Sequence, residues 1–69
     1  MSDSVYKVIE IVGTSPESWD KAAAVAVARA SRSLRDLRVA EVTEQDVVIE
    51  KGAITAYRTK LKVSFKFED

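Results

Sequence analysis

The chain has 69 residues, its eleven basic side chains balance eleven acidic ones, and it contains neither cysteine nor histidine. These counts exclude a disulfide scaffold, a thiolate or imidazole catalyst and a structural zinc site, and zero net charge supplies no global field toward nucleic acid or an anionic membrane. One domain over residues 1–69 is expected, near the size at which a single core barely offsets the entropy of ordering the backbone, so self-association is the remaining source of stability.

No apolar run approaches the roughly 18 residues of a membrane span, and the stretch Met1 to Val8 lacks the charged-then-apolar plan of a signal peptide. A soluble, cytoplasmic protein is the expectation. Val5 to Val12 is mostly β-branched or aromatic and reads as a first strand that stops at Gly13. Ser15-Pro16-Glu17 matches a helix start, with a capping hydroxyl, a proline in the first turn and an acid at the positive end. The helix is predicted from Pro16 to about Arg35. Its apolar stripe is Trp19, Ala22, Ala23, Ala26, Ala30, Leu34 and Leu37, and Arg29, Arg32 and Arg35 gather toward the end where the dipole favours cations. Ala24, Val25 and Ala28 lie off that stripe, so the helix is apolar around much of its circumference and in a short chain can be covered only by neighbouring copies.

A second strand is predicted after Asp36 through about Glu50, then a Lys51-Gly52 turn and a third strand from Ala53 to Phe67. Val39, Val42, Val47, Val48 and Ile49 of the second strand do not share one parity, which points to a bulge or strong bend near Gln45-Asp46. In the third strand Ala53, Thr55, Tyr57, Thr59, Leu61, Val63, Phe65 and Phe67 alternate with Ile54, Ala56, Arg58, Lys60, Lys62, Ser64, Lys66 and Glu68, and the first set is expected to face the helix. The fold class is therefore α+β, ordered β-α-β-β, with one helix on one face of a three-stranded antiparallel sheet. Ser15, Ser18, Ser31 and Ser33 are accounted for as caps or helix-surface residues, and glycine occurs only at Gly13 and Gly52, which leaves no glycine-rich phosphate loop. Catalysis is not expected.

The segment "VYKVIEIVGTSPESW" (Val5 to Trp19), the alanine-rich helix after it and the ending "KVSFKFED" (Lys62 to Asp69) resemble the dodecin family of small β-α-β-β proteins. The resemblance covers nearly the whole chain and implies a hollow sphere of twelve identical chains, with flavins held between tryptophans near two-fold axes. Flavin-binding members carry tryptophan where "RVAEV" places Val39, and glutamine where "AYRTK" places Arg58. A tryptophan face offers a stacking surface worth about 0.5–1.5 kcal/mol beyond its buried area, which Val39 cannot supply, so tight flavin stacking is not expected. The segments "VGTSPESW", "LRVAEVTEQD" and "ITAYRTKLKVSFK" are similar to a calcium-binding subset of the family, which implies a divalent cation in place of flavin.

Chemistry supplies the candidate ligands. Glu44 and Asp46 are two apart on one strand and point to one face, and two hard oxygen donors suit calcium or magnesium. The competing reading is cross-strand pairing with Arg58, Lys60 or Lys62. Glu17 is a third candidate, through its similarity to a carboxylate near ion positions in some dodecins, against the simpler reading of an acid complementing the helix dipole. Trp19 on the helix stripe reads as core or subunit contact. The basic row Arg58, Lys60, Lys62 and Lys66 reads as solvated or paired with Glu10, Glu41 and Glu44. Two functions compete: a closed homododecamer that stores or buffers a small ligand or ion, and a small nucleic-acid or protein interaction module using the basic sheet face. Zero net charge and the lack of an aromatic on that face argue against nucleic acid.

Overall fold

The computed structural model describes residues 3–66. The elements are β1 (Tyr6–Ser15), α1 (Trp19–Ala30), β2 (Leu37–Glu50) and β3 (Ala53–Lys66). They form one three-stranded sheet in the order β1-β3-β2, antiparallel throughout. The expected β-α-β-β order and sheet hold; the expected strand end at Phe67 lies outside the described residues.

Residues opposite one another in an antiparallel ladder share a face. Thr59, Leu61 and Val63 of β3 stand opposite Gly13, Ile11 and Ile9 of β1, and opposite Gln45, Val42 and Ala40 of β2. This is the face that α1 covers. Its buried core is small: Ala22 and Ala26 from the helix against Leu61 and Val63, with Ile9, Ile11, Ala23 and Leu37 packed partly buried around it. Thr59 is fully buried there and donates to the Trp19 carbonyl at 2.9 Å, which fixes the start of the helix on the central strand.

Gly13 does not end β1. The strand runs on to Ser15, paired with Thr59, Arg58 and Tyr57, and Gly13 lies beneath the helix, where an added Cβ would stand 2.0 Å from the Ala22 carbonyl oxygen. Because strand pairing claims Ser15, the helix starts later than Pro16. Ser15 accepts the Glu17 N–H at 3.0 Å in a local turn, and Ser18 is the cap, accepting the Lys21 N–H at 3.0 Å. Nor does the helix reach Arg35. It stops at Ala30, where Ser31 turns its hydroxyl back to the Ala28 carbonyl and the next bonds, Arg32 to Arg29 and Ser33 to Ala30, take the tighter three-residue spacing. Asp36, at φ 55°, reverses the chain into β2, so Leu37 belongs to the sheet.

The irregularity of β2 is real but lies elsewhere than Gln45-Asp46. Register shifts fall between Leu37 and Val39, between Val42 and Glu44, and between Val48 and Ile49. The first two leave Arg38 and Thr43 as extra residues on β2; the third leaves Thr55 as the extra residue on β3. The last also corrects the parity of the third strand's start, since Ile54 pairs with Ile49 and joins the face of Tyr57, while Ala53 leaves it and Thr55 has no partner on β2.

The chain measures 53 × 20 × 15 Å, with a radius of gyration of 14.3 Å. A compact globule of this length has about 11 Å. The excess comes from a hairpin that outruns the helix and leaves Ile49 and Ile54 63% and 54% exposed.

Candidate functional site

The outer face of the sheet, opposite the helix, carries the sequence-predicted site residues of the strands. Along β3 it presents Arg58, Lys60, Lys62 and Ser64, and each has a β2 partner: Asp46, Glu44, Glu41 and Val39 in turn. On the other side, Lys62 stands opposite Glu10 of β1 and Ser64 opposite Val8. The result is a central basic row between acids, graded into an apolar end at Val8 and Val39, which are 55% and 63% exposed.

Two of these pairs close as ion pairs. Arg58 grips Asp46 with a fork, its Nε donating to Oδ1 at 2.7 Å and its second guanidinium nitrogen to Oδ2 at 2.8 Å. Lys60 donates to Glu44 Oε1 at 3.0 Å and lies 4.0 Å from Asp46 Oδ2. The cross-strand pairing weighed against cation binding is thus present in the single chain. A planar guanidinium matches a carboxylate on two bonds at once, whereas an ammonium is a point charge on a flexible stem, so the first pair is rigid and the second loose.

The Arg58 hydrogen bonds, ahead of its charge and that of Lys60, hold the Asp46 carboxyl below its ordinary value of 3.8; Asp46 in turn raises Arg58. A lowered folded-state pKa means that the pair's contribution to stability is fully present above about pH 4 and disappears as pH falls through the lower folded value. Comparing thermal midpoints of the parent and Asp46→Asn should give a constant difference from pH 7 to 5 that closes at still lower pH. A difference that persisted unchanged at pH 2 would show that Asp46 acts through its shape and not its charge.

A second tie to Asp46 is not visible in the sequence. The Trp19 indole N–H donates to the Asp46 carbonyl at 3.0 Å, and its ring meets Tyr57 edge-on with centroids 5.1 Å apart. Trp19, 36% exposed, therefore locks the first turn of α1 to β2. This occupies one lone pair of a carbonyl that a bulge at Gln45-Asp46 would have freed. The bulge at Thr43 is closed as well, since its hydroxyl donates to the Lys60 carbonyl at 3.2 Å.

For a calcium site the donor chemistry fits: all available ligands are oxygens, as a hard cation requires. The number within one chain does not suffice, because among the described residues no group of three or more acidic side chains could hold a metal ion. Asp46 has both oxygens engaged by Arg58. Glu44, whose side chain is 67% exposed, is held by one oxygen only. Glu17 stands apart from the strand pair, before the helix, 69% exposed and 3.9 Å from Lys21. A complete shell needs carboxylates from further copies, or water.

For flavin the fit is poor. Val39 presents no ring, and Arg58 is drawn onto Asp46 at the position where the resemblance expects glutamine.

Comparison with known proteins agrees with this architecture. The dodecin family profile matches residues 5–68. Calcium dodecin from Mycobacterium tuberculosis is 59% identical over 63 residues, covering 91% of this chain and 89% of that protein. Its crystal structure, described as calcium-chelating with a novel calcium-binding site, superposes with a TM-score of 0.84, covering 94% of this chain and 93% of that one. The structure of dodecin from Streptomyces coelicolor superposes with a TM-score of 0.93 at 43% identity, over 100% of this chain and 99% of the other. No helix among the described residues is long and apolar enough to cross a membrane. With the β-α-β-β order, the sheet and the family profile in agreement over almost its full length, the chain belongs to the dodecin family.

Proposed function

We propose that this protein is a homododecameric binding and storage protein whose ligand is a divalent cation, calcium foremost, and not flavin. The observation that carries this reading is the Arg58–Asp46 fork. It fixes a charged pair where a flavin-binding relative would offer a hydrogen-bonding glutamine, and beside it Glu44 keeps an oxygen for a hard cation. The similarity to a relative named calcium dodecin supports the choice of calcium. The basic row argues against an interaction module for polyanions, because Arg58 and Lys60 are already paired with Asp46 and Glu44 and Lys62 stands opposite Glu10 and Glu41. Binding, not catalysis, is the role.

Glu44 is the principal donor in this reading and Glu17 a secondary one, with symmetry-related copies completing the shell, while Asp46, both oxygens held by Arg58, contributes its nearby charge. Calorimetry on the intact particle should show calcium binding, weakened about tenfold by Glu44→Gln through loss of one ligand charge at nearly constant shape, and less by Asp46→Asn or Glu17→Gln. Riboflavin added to the same particle should keep most of its fluorescence, and the double variant Val39→Trp with Arg58→Gln should recover quenching. Strong quenching by the unaltered protein, without calcium heat, would replace the cation with flavin.

A further inference from the structure

Among the described residues, Lys60 is the one charged group on the outer face that reaches two carboxylates. Its ammonium is 3.0 Å from Glu44 Oε1 and 4.0 Å from Asp46 Oδ2, so a shift on the order of 1 Å exchanges one partner for the other. Its backbone does not need to move, because its carbonyl is held by the Thr43 hydroxyl. Asp46 has room for it: the Arg58 fork takes one bond on each carboxylate oxygen, and a carboxylate offers about four lone-pair sites. Glu44 and Asp46 against Lys60 and Arg58 form a neutral quartet, in which Arg58 is committed to Asp46 and only Lys60 is free to change sides.

We propose that Lys60 is a built-in competitor for the cation, holding Glu44 while no cation is bound and swinging to Asp46 when a divalent ion takes Glu44. This rests on the calcium reading above and adds the residue that sets its strength. A divalent ion carries twice the charge of the ammonium and displaces it, but must overcome an existing ion pair to do so. The affinity is thereby held below what the same carboxylates would give alone.

Calcium titration of the intact particle, followed by calorimetry with particle size checked by light scattering, tests both parts. Lys60→Met removes the charge and keeps the stem, and is expected to tighten calcium binding roughly tenfold at low salt, from the repulsion it relieves, with a smaller gain at high salt. Lys60→Arg keeps the charge and is expected to stay near the parent. In a Glu44→Gln background, Lys60→Met is expected to gain little, because the contested carboxylate is gone. If Glu44→Gln weakens binding but Lys60→Met does not tighten it, the competitor role is overturned and the calcium reading stands. If Lys60→Met and Lys60→Arg tighten it equally, charge is not the cause, and the role is likewise overturned. If Glu44→Gln leaves binding unchanged, the calcium reading at Glu44 fails, and the proposal with it.

Discussion

Alanine at position 13 is expected to leave no folded chain. Its Cβ would lie 2.0 Å from the Ala22 carbonyl oxygen, 2.9 Å from the Ala22 carbonyl carbon and 2.9 Å from the Ala26 Cβ. Backbone cannot rotate away as a side chain can, so relief requires lifting the whole helix from β1. That lift would strip Ala22 and Ala26 from Leu61 and Val63, which together are the buried apolar core. Overpacking of this kind costs about 3 kcal/mol or more, against the roughly 3–5 kcal/mol that one core supplies at this size. Circular dichroism and light scattering of Gly13→Ala should show neither native helix nor native particle. Gly52→Ala is the control. Its Cβ meets nothing within 4 Å and only the positive φ of 78° is strained, which costs about 1–2 kcal/mol. A folded, assembled Gly13→Ala protein would mean that the helix sits farther from the sheet than the structure places it.

The second large effect is expected from an acidic side chain at Ala24 or Ala28. Both are exposed in the single chain, together with Val25 at 47%, on the side of α1 that the sheet does not cover. In the proposed dodecamer this side is covered by neighbouring copies. An unpaired carboxylate buried there costs several kcal/mol per chain, repeated at every equivalent contact. Because the lone chain has so small a core and so extended a shape, dissociation and unfolding are expected together: Ala24→Asp or Ala28→Asp should yield small, largely unfolded species by light scattering and circular dichroism. A folded monomer of the parent at micromolar concentration would contradict the coupling of assembly to folding. Unchanged particle size in both variants would place the interface on another face.

Much of this was legible in the residues. The β-strand and helix patterns specify the order β-α-β-β, Lys51-Gly52 is the turn, and the alternation of β3 from Tyr57 onward puts Thr59, Leu61 and Val63 toward the helix and Arg58, Lys60 and Lys62 away from it. These are local properties: side-chain period and backbone preference act within a few residues, whatever the rest of the chain does. The helix ends were less legible, because Ser15 and Ser18 are both competent caps and the choice fell to whichever the sheet left free. Gly13 looked like punctuation because its neighbour, the Ala22 carbonyl, comes from a different element.

The pairing at the candidate site was decided by tertiary structure alone. Counting back from a two-residue turn sets Asp46 opposite Tyr57 and Glu44 opposite Thr59, which would put both acids on the helix face. The extra residue Thr55 on β3 advances the register by one and delivers Asp46 to Arg58 and Glu44 to Lys60, and Thr43 on β2 then cancels the shift before Val42 meets Leu61. A one-residue slip exchanges the two faces of a strand, so two compensating bulges turn over only the segment between them. No local preference of Thr55 or Thr43 announces such a bulge; with it, Leu61 and Val63 stay in the core while both acids reach the outer row of bases.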